Sequence, residues 1–248
     1  MQEGCLEIKN LTIGYKSKTN IMVVFENLNA TFKRGMFVGI IGKNGLGKST
    51  LLRTVSGLQE KIRGEIWINS KKIELIERNE LAKLVSVILT EKVGGFNLTV
   101  HDLISLGRIP YTNSSHELKA EDVKVIEECT TLLGLNALKE KAVNELSDGL
   151  FQKTMIAKGL AQETAILLLD EPTAYLDFPS KHQLFLLLKT IVDKQKNCII
   201  TSSHDIELLI KYATHFLIMG EGNQFEFIEA SNYKTSELFS KVTNGYFS

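Results

Sequence analysis

Two groups of residues in this sequence have types and spacings that work together chemically. The first is Gly42-Lys43-Asn44-Gly45-Leu46-Gly47-Lys48-Ser49-Thr50, which fits G-x-x-x-x-G-K-[ST], the phosphate-cradling P-loop. Its glycines let the backbone curl so that successive N–H groups point at one anion, and a helix starting there adds its dipole. Lys48 then reaches the β- and γ-phosphates of a nucleotide, and the Ser49 hydroxyl ligates Mg²⁺. The second group is Asp170 and Glu171, at the end of the apolar run Ala165–Leu169, with His204 after the run Cys198–Thr201. Asp170 suits the hydration shell of Mg²⁺, and Glu171, pointing the other way, suits polarisation of an attacking water. His204 is placed to hydrogen-bond a γ-phosphate. A strand ending in two acids and a lone histidine are both common structural features; their weight comes from the P-loop.

These residues need strand ends and helix starts to hold them. Phe37–Ile41 reads as a short buried strand before the P-loop, and Leu51–Ser56 as the helix after it, with Gly57 closing it. The uniform hydrophobicity of Ala165–Leu169 predicts a central parallel strand covered on both faces. Strand–helix alternation around a P-loop predicts an α/β fold: a mainly parallel sheet with helices on both faces. Upstream, Leu6–Ile13, Met22–Phe25 and Leu28–Phe32 predict short strands of an antiparallel subdomain. Gly64–Asn69 and Lys71–Ile73 predict a hairpin turning at Asn69-Ser70. A polar helix is expected over Glu74–Lys83 and a strand over Leu84–Leu89.

Between residues 90 and 145 the texture turns helical, which predicts a helical subdomain inserted into a single domain spanning 1–248. Thr99–Asp102 reads as a capping box for a helix through Leu106, with Arg108–Ser115 a loop. Glu117–Leu133 carries a stripe of Val123, Ile126, Cys129, Leu132 and Leu133. Further on, Ser180–Gln183 reads as a second capping box, and His215–Met219 and Phe225–Ile228 as closing strands.

Composition narrows the class. Among 248 residues 44% are hydrophobic, enough for a substantial core, and 29 Lys+Arg balance 29 Asp+Glu. Such balance gives no global field toward nucleic acid or an anionic membrane. Apolar stretches fall short of the roughly 20 residues a spanning helix needs. Met1–Glu7 lacks the basic start and apolar core of a signal peptide. Cys5, Cys129 and Cys198 are scattered, as reduced cytosolic thiols are. His101, His116, His182 and His215 show no metal-ligand spacing. The expectation is a cytoplasmic protein, at most docked on the membrane's cytoplasmic face.

The motifs in order resemble the ATP-binding subunit of ABC transporters over nearly the whole chain. Leu146-Ser147-Asp148-Gly149-Leu150 resembles the signature L-S-G-G-Q, and Asp170-Glu171-Pro172-Thr173 followed by Ala174-Tyr175-Leu176-Asp177 resembles D-E-P-T and the D-loop. His204 falls on the switch histidine. Tyr15, by pattern alone an ordinary strand-end aromatic, falls on the residue that stacks on adenine. The resemblance implies a head-to-tail dimer with two ATP molecules and Mg²⁺ at its interface. There Ser147, Asp148, Gly149 and Asp177 of one copy would face the nucleotide held by the other. It also implies membrane permease subunits as partners and, through them, a substrate-binding protein. Leu106-Gly107-Arg108-Ile109-Pro110-Tyr111 is similar to the G-R-x-P segment of importers for ferric siderophores, haem and cobalamin.

Two positions depart from the family pattern. Thr90 stands where a Q-loop glutamine is expected, and Glu91 or a bridging water is the available substitute for its contact with metal or water. Asp148-Gly149-Leu150 replaces G-G-Q, adding a carboxylate expected to turn away from phosphate. The alternative reading is a soluble ABC-type ATPase acting on nucleic acid or macromolecular assembly. That class brings tandem cassettes, a long coiled-coil insertion or a basic patch, and the neutral single cassette here has none of them. A P-loop kinase has no use for Leu146–Leu150.

Overall fold

A computed structural model describes residues 5–89, 98–112 and 117–247. Thr90 and Glu91, the two positions expected to replace the Q-loop glutamine, lie outside the described residues, as does His116. Along the chain come β1 (Leu6–Lys16), β2 (Ile21–Phe32), β3 (Phe37–Ile41), α1 (Lys48–Val55), β4 (Arg63–Ile68), β5 (Lys71–Lys72), α2 (Arg78–Leu84) and β6 (Val85–Ile88). They are followed by α3 (Val100–Ser105), α4 (Ala120–Leu132), α5 (Asp148–Ala161), β7 (Ile166–Asp170), α6 (Phe178–Gln195) and β8 (Cys198–Ser202). Last are α7 (Ile206–Tyr212), β9 (His215–Met219), β10 (Phe225–Glu229) and α8 (Thr235–Phe247).

Two sheets form. A six-stranded sheet has the order β10-β9-β3-β8-β7-β6, parallel except for β10, and a four-stranded antiparallel sheet has the order β2-β1-β4-β5. The central strands β3, β7 and β8 are buried at every position, as their unbroken apolar runs require. Alternate residues feed different cores. Val38, Ile40, Leu168 and Ile200 face Leu6, Leu11, Phe25 and Phe32 of the antiparallel sheet and Leu51 and Leu52 of α1. Phe37, Ile41, Leu169 and Ile199 face Leu184, Phe185 and Leu188 of α6 and Leu209 of α7. Helices cover both faces, as expected: one face carries α6, α7 and α8, and the other carries α1 together with the second sheet. A third cluster joins α3, α4 and α5 through Val100, Ile104, Ile126, Cys129, Ala157 and Ala161.

Several local expectations change. The runs Met22–Phe25 and Leu28–Phe32 are one strand, because Asn27, at φ 58, absorbs the irregularity without ending the ladder. The helix expected over Glu74–Lys83 is confined to α2. Arg108–Tyr111 is not loop but the end of a 3₁₀ turn, Leu106–Tyr111, held by a buried ion pair. Val123 and Leu132 of the expected stripe are exposed, while Asp122 and Thr130 take buried places on α4. The cap of α6 is Asp177, whose side chain accepts from Ser180 N at 3.0 Å, so the helix starts before the expected box.

Candidate active site

The P-loop fills the turn from β3 into α1, at the C-terminal edge of the parallel sheet where open α/β folds bind ligands. Gly47 is the N-cap of α1 at φ 97, and a Cβ there would lie 2.6 Å from Val24 Cγ1. Both backbone and space therefore demand glycine. Gly45, at φ 85, faces open space, so only its backbone demands it. Ser49 is exposed at the first turn of α1, whereas Thr50 is buried.

Lys48 is only 7% exposed, and its Nζ donates to Gly42 O at 2.6 Å and Lys43 O at 3.1 Å. An ammonium has three hydrogens, so the loop's own carbonyls orient the cation and leave one for another acceptor. Burial lowers the Lys48 pKa, and Glu171 and Asp170 oppose that shift. At the rim, Lys43 Nζ pairs with Glu221 Oε1 at 2.7 Å.

Asp170 ends β7 directly opposite Ser202, the last residue of β8. The Ser202 hydroxyl donates to Asp170 Oδ1 at 2.7 Å and accepts from Glu171 N at 2.9 Å. Glu171 sits at φ 47, the left-handed region that non-glycine residues seldom enter. That turn, rather than simple strand alternation, sends the two neighbouring carboxylates into different surroundings. Glu171 Oε2 accepts from His204 N at 3.2 Å, and Oε1 lies 3.3 Å from His204 Nε2. Burial raises the Glu171 pKa above its ordinary 4.5, with His204 and Lys48 working the other way. A carboxylate so placed is a competent proton acceptor.

Tyr15 lies on β1 beside the same loop. Its hydroxyl is 3.2 Å from Thr50 Oγ1, while the residue as a whole is 52% exposed, so the ring stays accessible. A cleft of 310 Å³ opens there, lined by Gly14, Tyr15, Lys16, Arg53 and Gln59 among others.

The remaining predicted residues form a different group. Ser147 caps α5, its hydroxyl accepting from Leu150 N at 3.4 Å, and Asp148 is exposed in the first turn. A Cβ on Gly149 would lie 3.2 Å from Tyr175 O, two residues before Asp177. The side-chain hydrogen bonds of Ser147 and Asp177 close their own helix ends rather than reaching the P-loop.

Sequence reading missed Ser202, the hydroxyl that joins Asp170 to Glu171. It also missed Thr173, Lys181 and Asp205, which hydrogen-bond together beside His204. Thr173 and Asp205 carry one sequence signal, proximity to Glu171 and His204; Lys181, on α6, carries none, and the bonds themselves depend on how α6 packs beside the two strand ends. Among the described residues no group of three or more His, Cys, Asp or Glu could hold a metal, and no helix is long and apolar enough to cross a membrane.

Residues 25–174 match the family model described as ABC transporter. An uncharacterized ABC transporter ATP-binding protein of Methanocaldococcus jannaschii is 41% identical, over 96% of this chain and 80% of its own length. The ferric enterobactin transport ATP-binding protein FepC of Escherichia coli is 32% identical, over 94% of this chain and 85% of its own. In structure the chain is similar to a dimeric ABC transporter cassette in a post-hydrolysis state with ADP and Pi, at TM-score 0.80 and 26% identity. That match covers 91% of this chain and 98% of the other. A chain from a transporter designated as metal-chelate type, in an inward-facing conformation, aligns at TM-score 0.79 and 26% identity, covering 98% and 90%.

Proposed function

The chain belongs to the ABC transporter family as one of its ATP-binding, ATP-hydrolysing subunits, and from that premise we propose that it powers import of an iron-siderophore, haem or cobalamin cargo. The observation that carries the chemistry is the meeting of Lys48, Asp170, Glu171 and His204 at one end of the parallel sheet. The cargo class rests on the likeness to FepC and to the metal-chelate transporter, together with the Gly107-Arg108-Ile109-Pro110 segment.

Each residue then has a role. The backbone N–H groups of 43–50, including those of Lys43, Asn44, Gly45 and Leu46, wrap the phosphates, and Lys48 gives its remaining hydrogen to a phosphate oxygen. The exposed Ser49 hydroxyl and the Asp170 carboxylate are hard oxygen donors that suit Mg²⁺, so the residues present fit that ion. When bound, the ion neutralises charge on the phosphates. Glu171 takes a proton from the attacking water, and His204, held against Glu171, donates to the γ-phosphate. Tyr15 offers its exposed ring to adenine.

Cassettes of this family form dimers and work with membrane permease subunits. For this chain, the second copy would present Ser147, Asp148, Gly149 and Asp177 to the γ-phosphate, where the N-terminus of α5 makes a second anion site. ATP on one half-site leaves that phosphate partly uncompensated, so closure is favoured until hydrolysis. Dilution to monomer silences turnover. Residues 90–145 receive the permease, and a substrate-binding protein delivers the cargo to it.

The test is ATPase activity of the chain reconstituted with a candidate permease, challenged with a panel of loaded substrate-binding proteins. A ferric-siderophore, haem or cobalamin binding protein should stimulate turnover. Turnover that responds to none of them, with every permease tried, would sink the transport reading.

A further inference from the structure

Beside Glu171 and His204 lies a polar cluster that the chemistry above does not use. Thr173 Oγ1 donates to Asp205 Oδ2 at 2.6 Å, and Lys181 Nζ donates to Asp205 Oδ1 at 2.9 Å. Thr173 Oγ1 and Ser203 Oγ are 3.3 Å apart, and Asp205 N donates to Ser203 Oγ at 3.1 Å. Thr173 and Ser203 are each 1% exposed. Both oxygens of the Asp205 carboxylate are thus engaged, one by a hydroxyl and one by a cation.

Three chain segments meet here, and each borders the reacting groups. Thr173 follows Glu171 by two residues, in the turn where Ala174 N donates to Glu171 O at 3.2 Å. Ser203 and Asp205 flank His204, whose own N–H is bonded to Glu171. Lys181 stands in the first turns of α6 and donates its N–H to Asp177 O at 2.9 Å. The cluster therefore fastens the His204 turn to the Glu171 turn and fastens both to the helix that Asp177 caps.

Stability alone is a weak reason for such a cluster, since a partly exposed ion pair contributes little. A fully satisfied polar network does fix geometry, because its directional bonds tolerate only one arrangement. Glu171 and His204 need that service: they sit 3.2 to 3.3 Å apart on two separate turns. A displacement of about 1 Å at a catalytic group costs roughly a hundredfold in rate.

We propose that Lys181, Asp205 and Thr173 are positioning residues that hold Glu171 against His204 and link that pair to the start of α6, the segment assigned above to face the second copy. The inference rests on the roles proposed for Glu171 and His204.

The test uses the full chain with ATP and Mg²⁺, comparing Thr173→Val, Asp205→Asn and Lys181→Met with the conservative Thr173→Ser and Lys181→Arg. Thr173→Val and Asp205→Asn should each lower kcat about tenfold, and Lys181→Met about threefold, with KM for ATP within about twofold of the parent. The conservative variants should keep at least about half the parent kcat, because each retains its donor. The Thr173→Val/Asp205→Asn double variant should be little slower than the slower single, since both disrupt the same Thr173–Asp205–Lys181 network. If Thr173→Val fails to fold, Lys181→Met still decides, because its side chain is 25% exposed and tolerates truncation. The inference is overturned if all three severe variants keep kcat within about twofold. It is equally overturned if they raise KM instead, or if the conservative variants fall as far as the severe ones. Glu171→Gln run alongside separates the two levels: normal turnover there defeats the reading of the site itself, whereas slow turnover there beside normal positioning variants defeats only this inference.

Discussion

Removing one hydroxyl should measure how much the strand-end arrangement is worth. Ser202 is fully buried, donating to Asp170 Oδ1 at 2.7 Å and accepting from Glu171 N at 2.9 Å. Ser202→Ala deletes a hydrogen bond to an ionised carboxylate, about 1.5–3 kcal/mol, and leaves the Glu171 amide unpaired, about 1–3 kcal/mol more. The space vacated by one oxygen is smaller than the roughly 10–15 Å³ a water needs, so solvent does not step in. Small shifts of the two strand ends recover part of the loss, which places the net cost near 3 kcal/mol. For a chain of this size each kcal/mol moves Tm by about 2–4 °C, so the variant should melt roughly 6–12 °C lower. Turnover should fall too, since the Asp170 carboxylate and the Glu171 backbone each lose an anchor. Ser86 supplies the control: it is 1% exposed, on β6 at the far side of β7, and its Oγ has no hydrogen-bond partner among the described residues. Ser86→Ala removes a desolvated hydroxyl that gains nothing, so it should be neutral or slightly stabilising. Calorimetry on the three proteins decides. Equal Tm shifts for Ser202→Ala and Ser86→Ala, or a Ser202→Ala shift under about 2 °C, would refute the reasoning.

Three further outcomes follow from the same contacts. Glu171→Gln should bind ATP yet hydrolyse it at least about a hundredfold more slowly, measured by phosphate release. It should also be the more stable protein at pH 8. A carboxyl whose pKa burial raises above 4.5 contributes stability below its unfolded pKa and loses it as pH rises through the folded one, so the advantage of glutamine should vanish on titrating to about pH 4. Arg108→Ala should cost about 3–5 kcal/mol in urea unfolding, because Asp122, 3% exposed, loses the Nε donor at 2.9 Å and stays buried. Arg108→Lys should recover only part, as an ammonium cannot fork to Asp122, Ala161 O and Glu163 together. Burial pushes the Cys129 thiol up to about 12, so only about one molecule in 10⁴ carries the thiolate at pH 8. Iodoacetamide mapped by mass spectrometry should label Cys129 only on unfolding, although that residue borders an open 650 Å³ cleft.

Much of the frame was legible because it is written in local pattern. The uninterrupted apolar run before Asp170 demands a strand covered on both faces, and β7 is buried throughout. The glycine spacing of the P-loop likewise encodes its turn: Gly47 needs its left-handed backbone whatever surrounds it. Local pattern fails where two signals compete or where contacts are long-range. Both Asp177 and Ser180 can cap a helix; Asp177 does, because Pro179 is comfortable in the first helical turn and so does not delay the start. Val123 keeps step with the apolar stripe of α4 but faces outward, since Asp122 takes the buried place to meet Arg108. Ser202 gave no sign at all. Its importance arises only when β7 and β8 pair in the register that sets it opposite Asp170.

Two adjacent carboxylates at one strand end ask how a single site keeps them from doing the same job. Sequence alternation alone would separate Asp170 from Glu171 by direction only. The left-handed turn at Glu171, φ 47, does more: it places Asp170 against a hydroxyl donor inside the sheet edge and Glu171 against a backbone N–H and an imidazole. A carboxylate fixed by a hydroxyl is a good ligand for a cation, because its orientation is set before the cation arrives. A carboxylate whose burial favours the protonated form is a good base, because accepting a proton relieves its desolvation. Lys48, facing both, opposes that shift without cancelling it. Under the roles proposed for Asp170 and Glu171, one non-glycine residue at positive φ would divide cation holding from proton transfer, and Ser202, bonded to both residues, would keep that division in place.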